Sequence, residues 1–196
     1  MPKKIFDPLI VLASSSPRRK DLLKQAGLTF SVVPSCFDEQ SVSIKSHEEF
    51  TRLLAKGKAA DISKKYTAKW VVGADTIVIC KNERLGKPKS KKDAQRMLKL
   101  LSGQMHQVIT GYAISCIVEN ILFSDTVTTD VYFKCLTDRE IQWYIDTQEP
   151  FGKAGAYAIQ GIGSRFVKNI HGSYTNVVGL PVYEVIEFLL SKNVIQ

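Results

Sequence analysis

The stretch Leu9-Ile-Val-Leu-Ala-Ser-Ser-Ser-Pro-Arg-Arg19 runs an apolar strand into a serine-rich turn and then into a helix that begins with two arginines. Such a turn suits an anion. Ser16 is placed as N-cap and Pro17 as the first helical residue, whose missing N–H would have had no partner in any case. The first turn then offers free backbone N–H groups and the positive end of the helix dipole. Arg18 and Arg19 add forked guanidinium donors that match phosphate oxygens. Two cations at a helix N-terminus oppose the dipole at a cost of roughly 0.3–1 kcal/mol each, which a bound anion relieves. The competing reading is an ordinary capped helix with two solvated arginines.

Further along the chain, Asp75 interrupts the apolar run Val71-Val-Gly-Ala-Asp-Thr-Ile-Val-Ile79. A carboxylate inside such a strand must be paired, hydrogen-bonded or bound to metal, and Gly73 and Ala74 beside it read as room for a ligand to approach. Asp38-Glu39 is a weak signal alone, but with Asp75 it supplies the oxygen ligands that Mg²⁺ or Mn²⁺ prefers. Lys58 falls one turn after Leu54 on the inward stripe of a helix, where the plain alternative is a lysine with its ammonium in water. Leu85-Gly-Lys-Pro88 sets Lys87 in a constrained turn. Lys153-Ala-Gly-Ala-Tyr-Ala-Ile-Gln-Gly-Ile-Gly163 is a small-residue loop that would let backbone come close to a ligand. Three histidines without H-E-x-x-H spacing argue against zinc, and there is no Walker A loop.

These residues need a scaffold, and the pattern predicts an alternating α/β chain without repeats. The first strand and helix end at Gly27, and Phe30-Ser-Val-Val33 follows as a short strand. A polar loop from Pro34 to Lys45 carries Asp38 and Glu39. Ser46-His-Glu-Glu49 reads as a capping box that opens a helix with Phe50, Leu53, Leu54, Gly57 and Lys58 on one stripe. Trp70 to Cys80 reads as a central strand, and Ser90-Lys-Lys-Asp93 caps a helix that stops at Gly103. Val108 to Val118 and Thr126 to Phe133 suggest a hairpin around Glu119-Asn120, with Ile121 to Asp125 unassigned. Thr137-Asp-Arg-Glu140 caps a helix ending near Asp146, and Pro181 to Ser191 closes the chain as an amphipathic helix.

The 196 residues, 44% hydrophobic and 23% charged, suit one globular domain with ample material for a core. A net charge of +8 favours acidic partners, but the charge is scattered, which argues against a nucleic-acid surface. The one dense run, Lys87-Pro-Lys-Ser-Lys-Lys92, reads as a solvated loop entering a helix, with a nucleic-acid patch as the alternative. Cys36, Cys80, Cys116 and Cys135 lack C-x-x-C spacing and fit buried, reduced thiols. Met1-Pro-Lys-Lys4 lacks the apolar stretch of a signal peptide, and no run reaches membrane-spanning length, so a soluble cytoplasmic protein is expected.

Leu12-Ala-Ser-Ser-Ser-Pro-Arg-Arg19, Asp38-Glu39, Lys58-Ala59, Gly73-Ala-Asp-Thr76, Leu85-Gly-Lys-Pro88, Lys153-Ala-Gly-Ala-Tyr157, Ile159-Gln-Gly161 and Asn176-Val-Val-Gly-Leu-Pro181 resemble, in order, the motifs of the Maf family of nucleotide pyrophosphatases. The resemblance spans Leu9 to about Leu190. It implies a single domain over residues 1–196 with a mixed β-sheet and flanking helices, two lobes around a central cleft, and a shape similar to the inosine triphosphate pyrophosphatases. It also implies metal-dependent hydrolysis of a nucleoside triphosphate to the monophosphate and pyrophosphate. Ala-Gly-Ala-Tyr157 with Ile-Gln-Gly161 is similar to the branch acting on dTTP and UTP, whose work is house-cleaning of nucleotide pools, modified nucleotides included. A homodimer is implied as well. Asp75 is thereby assigned as catalytic carboxylate, and Arg18, Thr76 and Gln160 as the positions governing substrate choice. Ser14, Arg19, Glu39, Lys58 and Lys87 are placed in the cleft. The chain departs from the family pattern at Gly152, where aspartate is usual, and at Gln148, where glycine is usual.

The chemistry this implies is attack of water on the α-phosphorus with pyrophosphate leaving. Asp75 serves either as general base or as holder, with Glu39, of a divalent cation. The cations would carry the charge that spreads over the phosphoryl oxygens. Gln160 suits uracil or thymine because its amide accepts from N3–H while donating to O4. A second reading, from another class, is a non-enzymatic regulator of septum formation that binds a nucleotide or nucleic acid. Such a regulator needs the cations but not a carboxylate inside an apolar strand.

Overall fold

The near-continuous apolar run Trp70–Cys80 is the strand, β3, on which the sheet is assembled. The computed structural model describes residues 7–196, so the Met1-Pro-Lys-Lys4 stretch lies outside the described residues. β1 (Ile10–Leu12) pairs parallel with both β2 (Phe30–Val32) and β3. On the other side β5 (Met105–Cys116), β6 (Ile121–Phe133) and β7 (Val167–His171) continue antiparallel, giving the order β2-β1-β3-β5-β6-β7. The short β4 (Glu83–Leu85) pairs antiparallel with the far end of β3. The chain is thus mixed α/β with a mixed sheet flanked by helices, as expected.

One detail of pairing makes the cleft. β1 covers β3 only at Trp70–Val72, and β4 covers it only at Val78–Cys80. Between them the edge of β3 from Gly73 to Ile77 is paired by neither strand, and Asp75 and Thr76 lie in that gap.

The two faces of the sheet are filled differently. On the odd face, α2 (His47–Ser63) lies against β3 and β5 through Ala55, Ala59 and Ile62. It comes so close that a Cβ on Gly111 would stand 2.3 Å from the Thr51 carbonyl oxygen, and one on Gly73 would stand 2.5 Å from that of Ala55. The glycine beside Asp75 therefore makes room for a helix and not for a ligand, and Ala74 is fully buried in the core of the opposite face. On that even face two apolar clusters sit apart. One joins Leu12, Val72 and Ile114 to α1 (Pro17–Gln25) and α6 (Val182–Ser191). The other joins Leu85 and Phe133 to α3 (Lys91–Leu101) and α4 (Asp138–Asp146). The polar pair Thr76 and Thr110 occupies the strip between them.

Several local expectations are corrected. Ile121–Asp125 is strand, because the hairpin closes at Ile117–Asn120, where Asn120 adopts φ 52°. Ser46 accepts from the Glu49 N–H, but the Glu49 carboxylate turns to Arg52 at 2.6 Å, so only half of that capping box forms. Thr137 and Glu140 form the complete reciprocal box. Of the four cysteines, Cys80 and Cys116 are buried, whereas Cys36 and Cys135 are exposed on loops, and all four are free. Among the described residues no helix is long and apolar enough to cross a membrane.

His106 on β5 is 1% exposed, its Nε2 lies 2.8 Å from the Tyr157 hydroxyl, and Phe133 packs edge-on against its ring. Burial pushes its pKa down to about 3.

Two outcomes follow from this packing. Gly111→Ala should lower the unfolding free energy by about 1–3 kcal/mol, because helix backbone must move. Gly86→Ala, where an added Cβ meets nothing within 4 Å, should stay within about 0.5 kcal/mol of wild type in the same denaturant titration. For His106, the unfolded state takes up a proton below its ordinary pKa near 6.5 while the folded state does not. Stability therefore falls as pH drops below 6.5, by about 2 kcal/mol between pH 7 and pH 5. His106→Phe should be less stable at pH 7 yet lack that part of the slope, and equal slopes in both proteins would refute the assignment.

Candidate active site

A cleft of about 750 Å³ opens at the unpaired edge of β3, with walls from the β1–α1 turn, α2, the β4–α3 turn and residues 152–160. At its floor the Lys58 ammonium sits between two carboxylates, 2.6 Å from Asp75 Oδ1 and 2.8 Å from Glu39 Oε1. The Lys58 and Asp75 side chains are only 13% and 15% exposed, so each needs the other's charge. Lys58 reaches Asp75 because the small residues Gly73 and Gly111 seat α2 against the sheet. Glu39 arrives by a separate device, since the Phe37 ring fills the space beside Gly57, where a Cβ would stand 2.4 Å away. Asp61 of α2 ties down the same loop, accepting from the Ser35 hydroxyl at 2.8 Å and the Cys36 N–H at 2.9 Å. Burial works against the charge of Glu39, but Lys58, then Lys87 and Arg19, outweigh it and hold the carboxyl below its usual range.

The two arginines of α1 divide their work. Arg19 donates from Nε to the Gly179 carbonyl (2.7 Å), from Nη1 to Ser14 Oγ (3.2 Å) and from Nη2 to Thr76 Oγ1 (3.1 Å). It thereby ties α1, β3 and the turn after α5 (Tyr174–Val178) together, and three of its five N–H groups are used within the protein. Thr76 Oγ1 also meets Thr110 Oγ1 at 2.9 Å and the Gly179 carbonyl at 3.3 Å, so its hydroxyl is engaged on all sides. Arg18, half-buried, makes no hydrogen bond among the described residues and lines the cleft. Burial lowers its pKa, though a guanidinium stays charged. Ser16 is the N-cap of α1 by position, but its hydroxyl accepts no cap bond. Its own N–H instead donates to Ser14 Oγ at 3.2 Å.

Lys87 and Gln160 are exposed at the rim of the cleft. Gln160 makes no side-chain hydrogen bond among the described residues, so its amide is free to meet a ligand. The structure thus gathers Ser14, Arg18, Arg19, Glu39, Lys58, Asp75, Thr76, Lys87 and Gln160 around one cavity. Lys153 belongs with them and was not assigned from sequence. Burial and then the like charge of Arg18 lower its pKa, and a lone cation in a Gly/Ala loop was its only signal. The small residues of that loop pack inward: a Cβ on Gly155 would meet Val78 at 3.0 Å, and one on Gly161 would meet the Glu149 carboxylate at 2.2 Å. Gln148, where glycine is usual in the family pattern, adopts φ 63°, a conformation that favours glycine.

The donor chemistry fits a hard divalent cation. Two carboxylate oxygens converge on one point already occupied by positive charge. Among the described residues no group of three or more His, Cys, Asp or Glu forms a metal cage. Two carboxylates completed by substrate phosphates and water is the usual manner of holding Mg²⁺.

The chain is 48% identical over 187 residues to a dTTP/UTP pyrophosphatase of Geotalea uraniireducens, covering 95% of this chain and 96% of that one. It is 50% identical over 185 residues to a dTTP/UTP pyrophosphatase of Syntrophotalea carbinolica, covering 93% and 84%. A third protein of that name, from a Geobacillus species, is 49% identical over 173 residues, covering 88% and 92%. Among solved structures, the Staphylococcus aureus Ham1 protein overlaps 63% of this chain and 71% of its own, at 15% identity and a TM-score of 0.39. The Maf-like protein family matches residues 9–192, nearly the whole chain, and the chain belongs to that family.

Proposed function

We propose that this protein is a nucleoside triphosphate pyrophosphatase that hydrolyses dTTP and UTP to the monophosphate and pyrophosphate. It would act on the cytoplasmic nucleotide pool, as a homodimer. The observation that carries the reading is the charge arrangement of the cleft. Arg18, Lys153 and Lys87 line the same cleft without a salt bridge among the described residues, opposite Lys58, which is paired with the largely buried Asp75 and with Glu39 at the surface. Like charges held this close are relieved by a polyanion, and a triphosphate spans such a cleft. The names of the relatives supply the substrate class.

Phosphate oxygens would be held by Arg18, by the two N–H groups of Arg19 not used in the protein, and by the first turn of α1, whose N-cap hydroxyl leaves it uncapped. Lys58, Lys87 and Lys153 add charge along the chain of phosphates. Asp75 accepts from Lys58 through Oδ1, while Oδ2 has no hydrogen bond among the described residues. That oxygen would take the proton of a water attacking the α-phosphorus. The new bond is from water oxygen to phosphorus, the bond to the bridging oxygen of the β-phosphate breaks, and pyrophosphate departs with the electron pair. Asp75 and Glu39 would hold Mg²⁺ or Mn²⁺, which when bound neutralises phosphoryl oxygens and makes water more acidic. With the carboxylates so engaged, the Lys58 ammonium is left to face the phosphates. Gln160 at the rim would read the base, its amide accepting from N3–H and donating to O4.

A non-enzymatic nucleotide sensor would need the cations but has no use for the ion-paired carboxylates, and pyrophosphate release separates the two. Asp75→Asn should keep the fold by circular dichroism and lose about 10²–10⁴-fold in kcat. Wild type should be silent after EDTA treatment and recover with Mg²⁺ or Mn²⁺. Turnover by the variant at the wild-type rate, or by the chelated enzyme, would sink the respective role. Gln160→Glu should lose about 5- to 150-fold in kcat/KM for UTP and dTTP, because two acceptors then face each other at O4, an effect of roughly 1–3 kcal/mol. A wild type that prefers GTP to UTP and dTTP would refute the base assignment and leave the pyrophosphatase reading standing.

A further inference from the structure

Gln160 stands between two short 3₁₀ turns, Ala154–Ala156 and Ile162–Phe166, on a segment paired with no strand among the described residues, so something must fix where its amide points. The turn Ala158–Gly163 is gripped at both ends by one pair of side chains. Glu149 accepts from the Ile162 N–H through Oε2 and from the Gly163 N–H through Oε1, each at 2.9 Å. Its Oε1 also accepts from the Tyr144 hydroxyl at 2.8 Å, and that hydroxyl in turn accepts from the Ala158 N–H at 3.2 Å. Two residues before Gln160 and two and three residues after it are therefore tied to a single carboxylate–phenol unit. Tyr144 is fully buried in the core of α4, with Phe166 edge-on to its ring at 4.9 Å, so the unit is rooted in rigid structure. The glycines fit it closely. A Cβ on Gly161 would stand 2.2 Å from Glu149 Oε2, and one on Gly163 would stand 2.6 Å from the Tyr144 hydroxyl.

We infer that Glu149, with Tyr144, is a positioning residue for base selectivity, fixing the Ala158–Gly163 turn so that the Gln160 amide meets the uracil or thymine edge. The inference rests on the pyrophosphatase reading and on the role given there to Gln160. Neither side chain lines the cleft or hydrogen-bonds its cations. The Glu149 charge reaches Lys153, an effect common to all nucleotides that cancels in a ratio of two substrates, whereas loosening the turn acts on the choice of base.

Glu149→Gln is the direct test, because an amide of the same size cannot accept at both oxygens and sets an NH₂ against backbone N–H donors. The ratio of kcat/KM for UTP over CTP should fall at least about tenfold, through the KM for UTP, while kcat/KM for CTP stays within about twofold of wild type. Tyr144→Phe keeps the ring and loses only the bridging hydroxyl, and should lower the same ratio by a smaller factor. It also serves if Glu149→Gln does not fold. Equal losses for both nucleotides, or an unchanged ratio in a folded variant, would overturn the inference. Calorimetric binding of UTP and CTP without turnover runs in parallel. A wild type that prefers UTP in binding but releases no pyrophosphate overturns the enzymatic reading alone, and the ratio is then taken from binding constants. A wild type indifferent to the base overturns the role of Gln160 and this inference with it.

Discussion

The contact on which the site depends is the close seat of α2 against β3 and β5. Gly73 and Gly111 remove the two side chains that would hold the helix off, and a Cβ at either position would overlap helix backbone. Only at that distance does Lys58 reach Asp75. Breaking that pair would leave a largely buried charge without a partner, which is far costlier than losing a surface ion pair. Phe37 against Gly57 and the Asp61 hydrogen bonds repeat the logic for the loop that delivers Glu39. Packing without any chemistry of its own thus brings together three charged groups that are far apart in sequence.

A second constraint is the strand that is missing beside β3. Continuous pairing from β1 to β4 would have closed the edge where Asp75 and Thr76 lie. Because β1 stops at Leu12 and β4 begins its pairing at Val78, a buried central strand presents a carboxylate on one face and a hydroxyl on the other to the same cavity. The strip between the two apolar clusters would be a fault in a simple core. Arg19, Thr76, Thr110 and the Asn176 carbonyl fill it with a connected set of hydrogen bonds. Burying a guanidinium among neutral acceptors costs desolvation, visible in the lowered pKa of Arg19. What the arrangement secures is a fixed relation between α1, β3 and the Gly179 turn.

Catalytic demands and stability pull in opposite directions around Arg18 and Lys153. Burial depresses both pKa values, the charge of Arg18 lowers that of Lys153 further, and among the described residues Arg18 has no hydrogen-bond partner. A fold selected only for stability would have supplied a carboxylate there. Departure from local consistency of this kind is expected where a ligand completes the site.

Much of this was legible in the chain itself. Trp70–Cys80 reads as a central strand at its actual bounds, because an eleven-residue run interrupted only at Gly73, Asp75 and Thr76 admits few alternatives. α3 and α4 are marked by their caps, which act within four residues and so are written locally, and α1 is marked by Pro17 although the Ser16 cap bond does not form. Arg18, Arg19, Lys58 and Asp75 stand out because each occupies a place where its charge is costly, whereas Glu39 in a polar loop and Lys87 in a turn carry no such signal. What remained hidden involved distance. The sequence shows Gly73 as small, but only the fold shows that the space is taken by α2. Arg18 and Arg19 are indistinguishable as neighbours, and only the position of Gly179, 160 residues from Arg19, commits one to structure while the other lines the cleft. Glu149 carries no local signal, since its partners Ile162 and Gly163 are 13 and 14 residues on. Residue type and short spacing determine which groups are able to do chemistry. Their mutual placement rests on long-range backbone approach and hydrogen bonding, which no local pattern encodes.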